Sequence, residues 1–365
     1  MAVPFHVPAA IDIAAFLDDA RAILESGWLS EGPYVRTLER SLRPWVGGRD
    51  VVAISNASNG LVAALSLLGG AGGEVIVPGF TFLATWQAIG WAGLVPVVAD
   101  VDDRGLLEVA AVEAAITDQT VAILPVHLTG LLAPMAELRV VADRHGVALI
   151  ADAAHAIGAE AGGDAAGSIG DIEVFSLGAT KQLAAGEGGF LTIRDPDQVD
   201  RARRFALQGR EPGSMDAAGP GMNLRLDELT AALALRQLDG LSTQLTRRSE
   251  IHDRYRGAFA GLPIRLLGPR PDERSAHKDQ LVVVDDPADR QPLRDSLAAA
   301  GIGTKPYYDV AIPDLTAFRG RVASADRSRW LAERSLAIPI HARLTDADVE
   351  RVIAAVAGFF ATHRR

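Results

Sequence analysis

The chain contains no cysteine. That absence excludes disulfide frameworks, thiolate zinc sites and thiol nucleophiles together. Basic side chains are outnumbered, 36 Lys and Arg against 46 Asp and Glu, for a formal net charge of −10. A duplex nucleic-acid binder needs a basic face to displace counterions, so no nucleic-acid partner is expected. The eight histidines, at positions 6, 127, 145, 155, 252, 277, 341 and 363, are scattered without an HExxH-type pair, and no metal site is expected. No Lys or Arg precedes Arg21, so the start lacks the charged end of a signal peptide. Val75 to Ala99 holds no charged side chain, a length that could cross a membrane. Pro78, Gly79, Gly90, Gly93 and Pro96 interrupt it, which suits a strand, a helix and a second strand. The expectation is a cytoplasmic protein without membrane association.

What is present has the composition of a globular protein, 48% hydrophobic and 22% charged. A chain of 365 residues is long for one core, which predicts two domains. A large one is expected over 1–245, opened by a helical segment at 10–27, and a small α+β one over 246–365. Short apolar runs predict strands at Val51–Ser55, Glu74–Val77, Pro96–Asp100, Val121–Pro125, Val147–Asp152, Glu173–Ser176 and Phe190–Ile193. They alternate with helical patterns at Asn59–Leu68, Phe82–Trp91, Leu107–Ile116 and Met135–His145. The runs are continuous, as in strands covered on both faces. The predicted fold is therefore α/β, a mostly parallel seven-stranded sheet flanked by helices with right-handed crossovers. A helical pattern from Asp227, broken near Gly240, leads to strands at Ile264–Leu267 and Gln280–Val284, a helix over 288–299 and two terminal helices. Glycines 69, 70, 72 and 73 follow a helix and precede a strand. That is the reverse of the dinucleotide fingerprint and reads as a helix stop.

In such sheets ligands sit beyond the carboxyl ends of the strands. Ser55, Asp152 and Ser176 all end predicted strands, so they can converge. Lys181 stands among Gly178, Ala179, Thr180, Gln182 and Leu183, with little nearby to solvate a charge. A partly desolvated amine has a lowered pKa and becomes a usable nucleophile and proton carrier. Alone, a lysine in a glycine-rich loop reads as a surface residue. Asp152 closes a buried strand and needs a cation or donors; a helix cap would satisfy it too. His155, three residues on, could stack on a ligand ring or be a satisfied buried histidine. The turn SNASNG, 55–60, ends a strand and opens a helix. It aims the N–H groups of Ala57, Ser58 and Asn59 at an anion, with capping by Ser58 or Asn59 as the bland alternative. Ser176 adds a hydroxyl, and Phe82, opening the next helix, adds an aromatic face. A lysine, a carboxylate, a phosphate cradle and a ring cover are what pyridoxal phosphate requires of a protein.

The segments GWLSEGPYVRTLE, SNASNGLVAAL, EVIVPGFTFLATWQAI, PVHLTG, IADAAHAIGAE, GSIGDIEVFSLGATKQLAAGEGG, NLRLDELTAALALRQL, GIGTKPYY and IPIHARLTDADVERV span nearly the full length. In these the chain resembles the DegT/StrS-type sugar aminotransferases, pyridoxal-phosphate enzymes of the aspartate-aminotransferase fold. The FS-x4-K-x4-GEGG and DAAHA elements are the most specific. The resemblance implies that Lys181 bonds the cofactor, Asp152 faces its pyridine nitrogen and His155 approaches its phenolic oxygen. It implies that Phe82 stacks on the ring and that Ala57, Ser58 and Ser176 hold the phosphate. Asn223, in GMNLRLDE, would reach the phosphate from the other subunit, making a homodimer with shared sites. The implied reaction moves an amino group from glutamate or glutamine to a keto-sugar, nucleotide-linked, or to a keto-cyclitol. Arg225, Lys278 and Lys305 are candidates for a diphosphate at the mouth, and Tyr307 and Tyr308 for either acceptor.

Departures from the family pattern are local. Ala57 and Ser58 replace the usual glycine and threonine of the phosphate turn, FSL stands for FSF, and FALQGR follows Arg204 where a histidine-glycine is common. Relatives that dehydrate keto-sugars carry histidine at the lysine position, which Lys181 counts against. Relatives that aromatise an amino-dehydroshikimate retain the lysine, so dehydratase or aromatising chemistry is an alternative. A non-catalytic cofactor-binding regulatory protein is another. Cysteine-desulfurase chemistry on this fold lacks its cysteine.

Overall fold

The computed structural model describes residues 2–211 and 213–363. Seven strands form where the apolar runs predict them: β1 Asp50–Ile54, β2 Glu74–Pro78, β3 Val95–Ala99, β4 Thr120–Ile123, β5 Ala148–Asp152, β6 Ile172–Ser176 and β7 Gly189–Ile193. The C-terminal part contributes β8 Ile264–Leu266, β9 Gln280–Val284, β10 Lys305–Pro306, β11 Arg321–Val322 and β12 Ser335–Ile338. The large sheet has the order β1-β7-β6-β5-β4-β2-β3-β11. It therefore gains an eighth, two-residue edge strand that pairs parallel to β3. Only β7 runs antiparallel to its neighbours. The four-stranded sheet, β8-β9-β12-β10, is antiparallel throughout.

The continuous apolar runs have a direct physical cause. In β5, Ile150 packs into one core while Leu149 and Ala151 pack into another on the opposite face; Val75 and Val77 of β2 divide from Ile76 in the same way. Each fully buried Val, Leu or Ile contributes about 1.5–3 kcal/mol, so a strand buried on both sides is apolar nearly throughout, and a buried polar residue such as Glu173 needs partners of its own. Helices Ala57–Ser66 and Leu83–Trp91 cover the face that carries Ile54, Val98 and Val174. Gly60 lets the first of them lie close: a Cβ there would meet the Ile54 side chain and lie 2.9 Å from Val174 Cγ1.

The predicted Asp227 helix forms as two, Glu228–Asp239 and Leu241–Ala258, with Gly240 between them. The second spans two cores. Leu241 and Leu245 pack with the large sheet, and Ile251 and Tyr255 with Val282, Leu336 and Phe359. The start of the chain also joins the smaller core, since Val3 packs there and exchanges backbone hydrogen bonds with Gly301 and Gly303 at 2.8 Å. Among the described residues no helix is long and apolar enough to cross a membrane.

Candidate active site

The carboxyl ends of β1, β5 and β6 meet as predicted, and β7 is what joins two of them. Gly189, the first residue of β7, pairs with Ile54 on one side and Ser176 on the other. A Cβ on Gly189 would lie 2.6 Å from the Phe175 carbonyl oxygen and 3.0 Å from the Ala57 nitrogen. Only glycine lets these backbones approach. The first N–H groups of the Ala57–Ser66 helix thus come beside the Ser176 strand end. The helix is capped by Asn56, whose side chain accepts from the Asn59 N–H at 2.8 Å. Ala57 and Ser58 lead the helix with no intrahelical acceptor for their N–H groups. A helix N-terminus beside a serine hydroxyl fits a phosphate.

Asp152 is 7% exposed. Its Oδ2 accepts from the Thr85 hydroxyl at 2.8 Å and its Oδ1 from the Ala154 N–H at 3.1 Å. Thr85 is in turn within 3.1 Å of the Thr81 hydroxyl. All these partners are neutral, so the carboxylate keeps its charge for a cation brought by a ligand, and a pyridinium fits.

Lys181 lies on the loop between β6 and β7. The Gly178 N–H donates to Ser176 Oγ at 3.2 Å, Lys181 N–H to the Gly178 carbonyl at 2.9 Å, and Ala185 N–H to the Leu177 carbonyl at 2.8 Å. Burial lowers the Lys181 amine to a pKa of about 7; the Lys278 and Lys305 charges lower it too, while Asp152 and Asp279 raise it. Its neighbour Gln182 donates through Nε2 to the His155 carbonyl at 2.8 Å. His155 is buried, and that burial, with Lys181 and Lys278, holds its imidazole well below its usual pKa. It is therefore neutral at pH 7. Its Nδ1 accepts from the Thr129 N–H at 3.3 Å, and the Tyr307 hydroxyl lies 3.5 Å from both ring nitrogens.

A sequence profile described as the DegT/DnrJ/EryC1/StrS aminotransferase family matches residues 11–357. The chain belongs to that family. It is 33% identical over 368 residues to the spore coat polysaccharide biosynthesis protein SpsC of Bacillus subtilis (strain 168), covering 93% of each chain. The structure of DesI solved in the presence of its TDP-sugar product superposes with a TM-score of 0.90 at 35% identity, over 100% of this chain and 95% of that one. The sugar aminotransferase Spr1654 of Streptococcus pneumoniae, in its PLP form, gives a TM-score of 0.91 at 28% identity, covering 99% and 98%. Its PMP form gives 0.92 at 27% identity, covering 100% of both chains. The chain is thus a pyridoxal-phosphate-dependent aminotransferase of the DegT/DnrJ/EryC1/StrS family.

The other residues singled out in the sequence divide into two groups. Phe82 precedes its helix and is 51% exposed, its ring 6.4 Å from that of Tyr308. Tyr307 and Tyr308 stack at 4.5 Å beside His155 and Phe80. Asn223 and Arg225 instead lie exposed on a segment that runs along the end of β1, with Arg225 Nε donating to Asn223 Oδ1 at 3.0 Å. Lys278 is not at a mouth: it is 5% exposed and its Nζ donates to both oxygens of Asp279, at 2.8 and 2.9 Å. Lys305 is exposed, 5.5 Å from the Tyr307 ring. Sequence reasoning missed Thr85, Gln182, Asp279 and His6, whose Nε2 lies 3.2 Å from the Ala179 carbonyl oxygen. The i, i+4 spacing of Thr81 and Thr85 after a strand end was the one available signal.

Proposed function

We propose that the enzyme takes an amino group from glutamate or glutamine and places it on the keto carbon of a nucleotide-linked sugar, with Lys181 as the proton carrier. Lys181 carries the reading, because an amine held at about pKa 7 beside Asp152 can both bond an aldehyde and exchange a proton at neutral pH. Bound pyridoxal phosphate supplies the aldehyde and an electron-withdrawing ring. Asp152 would face the ring nitrogen, the N–H groups of Ala57 and Ser58 and the Ser176 hydroxyl would hold the phosphate, and Phe82 and His155 would hold the ring. Lys181 Nζ accepts the proton from the donor's α-carbon and gives it up again.

The acceptor class is supported by the TDP-sugar product of DesI and the polysaccharide role in the name of SpsC. Exposed Arg225 and Lys305 suit a diphosphate, and Tyr307 and Tyr308 suit sugar hydroxyls. Asn223, exposed in one chain, suits a homodimer in which it reaches the partner's phosphate. We place the division between the two domains at 245/246, inside the Leu241–Ala258 helix, and the protein in the cytoplasm.

The central test is optical. Purified holoenzyme should absorb in the visible, and glutamate or glutamine should bleach that band with release of the keto acid. Lys181→Ala should remove both the band and the turnover. A band that survives in Lys181→Ala refutes the lysine assignment, and keto-inositols turning over in place of keto-sugar nucleotides refutes the acceptor. Mixing Lys181→Ala with Asn223→Ala subunits should recover activity if sites are shared; two inactive parents that stay inactive after exchange would overturn the shared site.

A further inference from the structure

Arg248 is among the most deeply buried large side chains of the protein, 2% exposed in the Leu241–Ala258 helix. Its Nη1 donates to three backbone carbonyls: His277 at 2.9 Å, Lys278 at 3.3 Å and Ile340 at 2.5 Å. Among the described residues it forms no ion pair, and its Nε has no hydrogen-bond partner. Burial lowers its guanidinium to a pKa of about 10, with Asp279 acting in the opposite sense, so it is charged at pH 7. As a stability device this is poor. A buried charge without a carboxylate is costly, and hydrophobic replacement of buried ions is often neutral or stabilising.

What the guanidinium does achieve is geometric. It pins the segment Ser275–Asp279 on the small-domain side, and that segment docks on both halves of the cofactor site. Lys278 N–H donates to the Thr129 carbonyl at 2.8 Å, and Thr129 N–H donates to His155 Nδ1 at 3.3 Å. On the other side, Gln182, next to Lys181, reaches the Ala276 carbonyl at 3.4 Å as well as that of His155. The segment is not relaxed. His277 sits at φ 41°, in the left-handed region, its N–H held by Ser275 Oγ at 3.0 Å. Such a conformation persists only where the surroundings over-determine it. The carbonyl clamp holds it from the Leu241–Ala258 helix, together with the stacked His252 ring, while the Thr129 and Gly130 carbonyls hold it from the large-sheet side.

We propose that Arg248 is a positioning residue for amino transfer: by clamping the His277 and Lys278 carbonyls, it sets the His155 ring and the Lys278 charge relative to Lys181. This rests on Lys181 being the lysine that bonds the cofactor. Arg248→Met removes the clamp and the buried charge together, and Arg248→Lys keeps the charge but places it one bond short of Nη1 and without the fixed planar fork. In the holoenzyme, Arg248→Met should lower kcat on the order of 10- to 100-fold, the cost of a roughly 1 Å misplacement. The pH midpoint of the visible band should rise as Lys278 moves away from Lys181. In the apoenzyme, the 15N resonances of His155 should shift, and the melting temperature should fall little. Arg248→Lys should show the same changes, smaller, and carries the test if Arg248→Met does not fold. A variant with unchanged band midpoint and His155 resonances, and only a lowered melting temperature, would overturn the inference. Failure of the Lys181 assignment is seen separately, as a visible band persisting in Lys181→Ala while the His155 resonances still respond to Arg248.

Discussion

Two buried aspartates, Asp152 and Asp279, face the same site with opposite electrostatic settings. Asp152 is held by neutral donors, Thr85 and the Ala154 N–H. Asp279 is gripped by the Lys278 ammonium through both oxygens. Burial alone would raise the Asp279 carboxyl, but the Lys278 ammonium and a Tyr307 hydrogen bond hold it below the usual carboxylate range. One charge is left for a ligand to neutralise, and the other is neutralised within the chain. Burial therefore does not say what a carboxylate is for. Its partners do.

The contrast breaks most sharply under amide substitution. Asp152→Asn should cost on the order of 10²–10³-fold in kcat, the scale for losing one electrostatic stabiliser of developing charge, while thermal stability of the apoenzyme holds or rises. Asp279→Asn should do the reverse. Leaving Lys278 buried and unpaired costs about 3–5 kcal/mol of stability, read by denaturant unfolding, with a smaller loss of turnover. If the two variants show the same pattern, the distinction fails.

A pH series sharpens the point. A carboxyl with a depressed folded pKa contributes stability that is present above its unfolded value, about 3.9, and is lost as the pH falls below it. Asp279→Asn should accordingly flatten the acid limb of apoenzyme stability. Glu173 keeps part of that limb: burial opposes its ionisation, but His127 and the Gly167 and Gly170 N–H groups lower its pKa. The smallest effect belongs to Thr85→Val, which removes one neutral donor from Asp152. It should cost about 10- to 100-fold in kcat, the worth of one hydrogen bond to a charged group, with the visible band intact.

The large sheet was legible because burial on both faces leaves apolar runs that no loop imitates. Its seven main strands lie within a few residues of where the runs place them. Strands β10 and β11 have two residues each, too short for any periodicity, and β12 lies in a stretch, SLAIPI, that gives no strand boundary. The site was legible at strand ends, where Asp152, Ser176 and Lys181 stand in local context that marks them. Thr85 and Asp279 were not, because what each does depends on a partner set by the fold: Thr85 meets Asp152 across 67 positions of sequence, and Asp279, just before β9, meets Tyr307, just after β10. Lys278 reads as a mouth residue by charge alone, and only packing reveals it beneath the surface.

The antiparallel strand β7 has a consequence for how this enzyme can change. Its pairing with β6, closed at Ser176 and Gly189, makes the Lys181 segment a hairpin loop with clamped ends. A crossover must span the face of a sheet and carry a helix of matching length, but a clamped hairpin loop can be lengthened cheaply, each doubling costing about 0.6 kcal/mol in closure entropy. The segment bearing Lys181 can therefore be recut or grafted from another chain while every strand of the sheet stays in register.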